Sequence, residues 1–97
     1  MEIDKREANS KEIKGTVASL RLDAVLGLGF GISRGKAVNS IKAGDVEVNG
    51  EKKINPSIHL KEEDIIVLRE RASIKIISLK GKTRKGRQSI VLKKIGK

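Results

Sequence analysis

The sequence predicts an α+β fold, with an αα unit packed on a small antiparallel β-sheet that ends in a basic β-hairpin. Three observations carry this. Apolar residues recur at helical spacing in two short stretches, Leu22, Val25 and Leu26, then Ala37, Val38 and Ile41. From Val46 onward the apolar period changes to two, and an Asn-Gly pair follows at 49–50. Two runs rich in Ile, Val and Leu, 73–79 and 89–95, then flank a loop packed with Lys and Arg.

Taken in order, residues 1–18 read as a flexible lead-in, since 1–14 are polar, mixed in charge and without a sustained period. Ser19 is placed to cap a first helix by accepting from an unpaired N–H of its opening turn. Leu22, Val25 and Leu26 form the buried stripe of that helix, with Arg21 and Asp23 off it. Gly27, Gly29 and Gly31 are expected to end it and turn the chain. Ser33 caps a second helix that runs through Lys42, with Gly44 as its stop. Ala37, Val38 and Ile41 face inward there, leaving Arg34, Lys36 and Lys42 to solvent.

Val46 and Val48 alternate with Asp45 and Glu47, and Asn49-Gly50 is a strong hairpin signal. Asn55-Pro56 breaks the return strand. Glu62, Glu63 and Asp64 read as a solvated acidic turn before Ile65–Leu68, a buried strand. The final hairpin, 73–97, is an extension of the domain formed by 19–72, and its loop at 80–87 holds Lys80, Lys82, Arg84, Lys85 and Arg87.

Charge adds a functional expectation. The 97 residues carry a net charge of +10, which points to a polyanionic partner. Residues 73–97 hold nine basic groups and no acid, so the excess sits almost wholly in the last quarter of the chain. Like charges crowded into one loop repel each other, which marks an interaction element rather than a solvated face. Phe30 is the single aromatic residue, too little to build a stacking platform for single strands. Recognition by backbone and shape, and hence of structured RNA, is the expectation.

Other classes find little support. Gly27-Leu-Gly-Phe-Gly31 follows a helix and lacks the dinucleotide-binding spacing. Gly35-Lys36 and Gly81-Lys82-Thr83 lack the glycine that a phosphate-cradling loop requires upstream. Without Cys, and with His59 as the single imidazole, neither a metal site nor a nucleophile–base pair is legible. The chain is expected to be no enzyme and to use no cofactor. No apolar run approaches the ~18 residues that would span a bilayer, and a cytoplasmic monomer without membrane contact is the simplest expectation.

Arg21-Leu-Asp-Ala-Val-Leu26, Ser33-Arg34, Ile41-Lys-Ala-Gly44, Val46-Glu-Val-Asn-Gly50 and Asp64-Ile-Ile66, in this order and spacing, resemble the S4 RNA-binding domain (αL motif). That domain occurs in ribosomal protein S4, tyrosyl-tRNA synthetases and many pseudouridine synthases. Residues 16–25 and 81–87 further resemble the C-terminal S4 domain of YlmH-type RNA-binding proteins. The resemblance implies RNA contact at Arg21, Ser33, Arg34, Lys36, Lys42, Asn49 and Lys52. It also implies rRNA or tRNA as partner, on the large ribosomal subunit, in a role such as rescue of stalled ribosomes. YlmH-type proteins carry additional domains ahead of this one, so the resemblance implies a C-terminal domain of a longer protein.

Together these give a module for structured RNA in which Arg34, Lys36 and Lys42 hold phosphates and Arg21 supports them. Lys52 and Lys53 extend the track, and Lys82, Arg84, Lys85 and Arg87 form a mobile clamp. Three alternatives have distinct signatures. A helix-turn-helix DNA binder would read bases with residues 33–42, Asn39 being the candidate reader. A targeting domain cut from an RNA-modifying enzyme or synthetase would belong to a longer gene. A structural ribosomal protein would be stoichiometric in purified ribosomes.

Overall fold

The computed structural model describes residues 10–69 and 72–96. Eight elements follow one another: β1 (Ser10–Val17), α1 (Leu22–Phe30), α2 (Arg34–Lys42), β2 (Val46–Val48), β3 (Glu51–Lys52), β4 (Ile65–Leu68), β5 (Ala72–Lys82) and β6 (Gln88–Gly96). The strands form one antiparallel sheet in the order β1-β6-β5-β4-β2-β3. Both helices pack on one face of it, giving the expected α+β architecture. None of the helices among the described residues is long and apolar enough to cross a membrane.

The core forms where the helix stripes meet the inward side chains of the sheet. Leu22, Val25, Leu26, Phe30, Ala37 and Ile41 from the helices pack with Val46, Val48, Ile66, Leu68, Ile74, Ile76, Ile90 and Leu92. Alternation decides which strand residues take part, because successive side chains point to opposite faces. Ile66 and Leu68 are buried while Ile65 and Val67 are exposed, so β4 is covered on one face and is not the fully buried strand its composition suggested.

Residues 10–17 are a correction to the expected lead-in. They form β1, paired with β6 in register from Ser10↔Ile95 to Val17↔Gln88. The period of two is carried by Ile13, Gly15 and Val17, and glycine hides it. At Gly15 the absent side chain makes room for Leu28, whose Cδ1 lies 2.9 Å from where a Cβ would sit. Residues 1–9, the rest of that lead-in, lie outside the described residues.

The first helix begins differently from expectation. Arg21 occupies the N-cap position without a side-chain cap, and Ser19 plays no part. Two N–H groups of the opening turn instead donate to backbone carbonyls of a distant loop, Leu22 to Ile58 (2.9 Å) and Asp23 to Pro56 (3.2 Å). Gly27 and Gly29 lie within α1, and Gly31 alone ends it, in the left-handed conformation at φ 65°. Gly29 brings the helix close to the sheet, since a Cβ there would stand 2.5 Å from Ile74 Cδ1.

The second helix follows expectation: Ser33 Oγ accepts from the Lys36 N–H at 3.1 Å, and the helix ends at Lys42. Asn49 and Gly50 both have positive φ, 53° and 86°, as a type I′ turn requires. The final hairpin is longer than expected. β5 extends to Lys82 through two bulges, and the turn shrinks to 83–87, closed by Thr83 N–H to Arg87 carbonyl at 2.7 Å.

Register also fixes which ends share a side. Val48 pairs with Ile66, and Ile65 with Lys75, so β5 runs past the Asn49 turn for seven further residues. At a strand rise of roughly 3.3 Å per residue, the basic tip projects about 23 Å beyond that level. β1 runs toward the same tip, and the chain then crosses to pair Leu20 with Leu60 before entering α1. The start of α1, the Asn49 turn and the basic tip therefore lie toward one end of the sheet.

Candidate nucleic-acid interface

Asp23 organises the start of α1. Its carboxylate, 2% exposed, accepts from Arg21 Nε (3.2 Å, to Oδ1) and Arg21 Nη2 (3.0 Å, to Oδ2). Arg34 Nε, from the opening turn of α2, lies 3.4 Å from Oδ1. A buried carboxylate is tolerated only when paired, and here two guanidiniums share it. The arginines themselves stay 38% and 56% exposed, so each has further N–H groups facing solvent. The sequence placed Asp23 off the buried stripe, yet the structure buries it as the pivot between two predicted contact residues.

The other cations of α2 diverge from this pair. At 100° per residue, Lys36 lies about 160° around the helix from Arg34. It lines a separate concavity with Asn39, Ser40 and Arg69. Lys42 is exposed in the last turn. Lys52 lies over the turn that follows, its Nζ 3.6 Å from the position a Gly44 Cβ would take. Positive charge at a helix C-terminus is favourable, so both lysines are suited to this end.

Two predicted contact residues have work in the fold. The Asn49 amide donates from Nδ2 to Asp64 Oδ1 at 3.0 Å, and its Oδ1 accepts from Ile65 N–H at 3.1 Å. Asp64 Oδ2 accepts from Lys61 N–H at 2.9 Å. The expected solvated acidic turn is corrected at Asp64, which is buried; Glu62 and Glu63 are exposed as expected, Glu62 accepting from Leu79 N–H at 2.8 Å and Glu63 pairing with Lys75 at 3.2 Å. Ser33 lends its hydroxyl oxygen to the α2 cap while remaining exposed.

Lys53 Nζ pairs with Glu51 Oε1 at 2.9 Å, and that hydrogen bond and positive charge hold the Glu51 carboxyl below its ordinary range. Its charge is therefore locally offset, whereas Lys52 has no ion-pair partner among the described residues.

The hairpin tip divides in the same way. Lys82, Arg84 and Lys85 are exposed, without an acidic partner among the described residues. Arg87 instead fastens the tip to β1, donating from Nε to Thr16 Oγ1 at 2.9 Å and from Nη2 to the Thr16 carbonyl at 3.1 Å. Three cations thus face outward from a hairpin turn that the fourth anchors to β1.

Sequence reasoning missed further basic residues. Lys11 stands directly opposite Lys94 across β1 and β6, and Lys94 Nζ lies 5.2 Å from the Phe30 ring centroid. The missing signal was β1 itself, since the register cannot be written until 10–17 is known to be a strand. Among the described residues, no group of three or more His, Cys, Asp or Glu is arranged to hold a metal ion.

Comparison with known proteins agrees with this layout. The family model of the S4 domain matches residues 20–66. No curated protein sequence matches the chain. A crystal structure of a pseudouridylate synthase is similar at a TM-score of 0.51 and 32% sequence identity. The likeness covers 55% of this chain and 23% of that one, so the chain matches less than a quarter of that enzyme's length. The stretch that matches holds the two helices, the Asn49–Gly50 hairpin and β4 as far as Ile66.

Proposed function

We propose that this chain is a non-catalytic module that binds structured RNA through its phosphate backbone. The observation that carries the reading is the pairing of Arg21 and Arg34 on buried Asp23, within the stretch that matches the S4 domain. Fixed guanidiniums present planar N–H forks suited to phosphate oxygens. Lys36, Lys42 and Lys52 add exposed charge along α2 and its exit. Lys82, Arg84 and Lys85 extend the grip at the tip, held at a defined place by the Arg87–Thr16 contacts. The helix face sets orientation, and the hairpin supplies much of the affinity.

The RNA proposed is ribosomal or transfer RNA, bound on the large ribosomal subunit in the manner of YlmH-type proteins, which the residues at 16–25 and 81–87 resemble. Crosslinking of the chain to RNA in cells, followed by sequencing of the crosslinked sites, tests this. Sites concentrated in structured rRNA or tRNA support it, and sites scattered over messenger RNA overturn it.

A second reading is favoured by one observation, the likeness to a pseudouridylate synthase over 55% of this chain. Under it the same surface delivers an RNA-modifying enzyme to its substrate. Fusing or adding the chain to such an enzyme's catalytic part, and measuring modification with and without it, separates a targeting domain from an independent binder.

A further inference from the structure

Asn39, the candidate base reader only under the helix-turn-helix DNA alternative, is left unused by the phosphate-binding surface. Ile32, Lys36, Asn39 and Ser40 are spaced i, i+4, i+7 and i+8, which sets them along one strip of α2 and the residue ahead of its cap. Asp45, Leu68 and Arg69 face that strip, and the seven together line an open concavity of 290 Å³. Val46 pairs with Leu68, so this concavity lies at the opposite end of β4 from the Asn49 turn. β4 has four residues, so its two ends are about 10 Å apart, within reach of one RNA segment lying across α2.

Five of the seven lining residues are polar or charged, and Ile32 and Leu68 add a small apolar surface between them. The side chains of Asn39 and Ser40 make no hydrogen bond among the described residues, although the Asn39 carbonyl accepts from Ala43 N–H at 2.9 Å. The opposite wall is held in place by Arg69 N–H donating to the Asp45 carbonyl at 2.8 Å and by the Asp45–Arg69 ion pair at 3.9 Å. Ligand pockets run from about 300 Å³ upward, so this one suits a single base and excludes a large cofactor. Lys36 places positive charge at its rim, where a phosphate flanking that base would lie, while the charge of Arg69 is offset by Asp45.

We propose that this concavity takes one unpaired nucleotide of the bound RNA, with Asn39 reading its base. Adenine fits best, because a carboxamide can accept from its N6 amino group and donate to N7 together. The inference rests on the RNA-binding reading above and adds a sequence preference to it.

The test uses five short RNA hairpins, identical except for one bulged position that holds A, C, G, U or an abasic sugar. Binding is measured by fluorescence anisotropy at one salt concentration, alongside the fully paired hairpin. The bulged A should bind about 5–100-fold more tightly than the abasic RNA, the range of one good bidentate contact. Asn39→Ala should remove that preference while leaving affinity for the fully paired hairpin unchanged. Asn39 is exposed and alanine favours helix, so this variant folds. Equal binding of bulged A and abasic RNA, tightest binding of another base, or a preference that survives Asn39→Ala overturns the inference alone. Failure to bind any of the hairpins overturns the RNA-binding reading itself.

Discussion

Arg34 Nε lies 3.4 Å from Oδ1 of Asp23, a carboxylate buried to 2% exposure and already held by Arg21. An acid at the centre of a proposed polyanion-binding face ought to oppose its purpose. Its position resolves this: burial hides the negative charge from an approaching phosphate, while the two guanidiniums stay partly exposed.

Asp23→Asn therefore separates positioning from charge. Counting charges alone, removing an acid should strengthen RNA binding. The arrangement predicts the reverse, a loss of about threefold to tenfold, because both guanidiniums lose the anchor that holds their register on the backbone. Stability should fall by about 1–3 kcal/mol, since both arginines remain solvated when the charge-assisted hydrogen bonds weaken. Urea titration and anisotropy on the same preparation measure both; tighter binding would show that Asp23 has no positioning role.

The hairpin tip is predicted to contribute more affinity than α2. Replacing Lys82, Arg84, Lys85 and Arg87 with Ala should weaken RNA binding more than replacing Arg34 and Lys42. Removing the three outward cations alone should flatten the salt dependence by about 2–3 units of slope, near 0.9 for each phosphate that is no longer neutralised. Equal or reversed losses would move the principal grip to the helices.

Asn49 tests whether a predicted contact residue acts through the fold. Asn49→Ala removes both amide hydrogen bonds and places a Cβ residue at φ 53°, so stability should drop by about 2 kcal/mol or more. Asn49→Gly keeps the turn conformation and loses only the latch, so it should cost less. Thermal melts of the two variants give the ordering, and equal loss would mean that the turn conformation contributes nothing.

Two glycines should respond with opposite signs. Gly29→Ala pushes a Cβ against buried Ile74 and should destabilise by about 1–2 kcal/mol. Gly35→Ala has only Ser33 Oγ at 4.0 Å as a neighbour, so it should stabilise by about 0.5 kcal/mol through reduced backbone freedom. Chemical denaturation distinguishes them, and a neutral Gly29→Ala would indicate slack between α1 and the sheet.

Local rules read well where a segment's own residues determine its structure. The Ser33 cap, the Gly44 stop and the Asn49–Gly50 turn are set by short-range hydrogen bonds and backbone freedom, and each lay where the sequence put it. The start of α1 did not, because two of its N–H groups donate to Pro56 and Ile58, more than thirty residues away. β1 was missed for a related reason: Lys11, Glu12 and Lys14 surround Ile13, and the strand is defined by its pairing with β6 at the far end of the chain. Exposure of the α2 lysines was legible from periodicity. The grouping of Arg21 with Arg34, and of Lys36 with Arg69, depends on how the helices meet and had no local signature.

Neutralisation of a folded RNA backbone by the cations of this chain is read directly from affinity for a folded ribosomal or transfer RNA across a range of monovalent salt. Neutralising about six phosphates predicts a slope of log K against log salt of about −4 to −5. A slope near zero with such an RNA would contradict it.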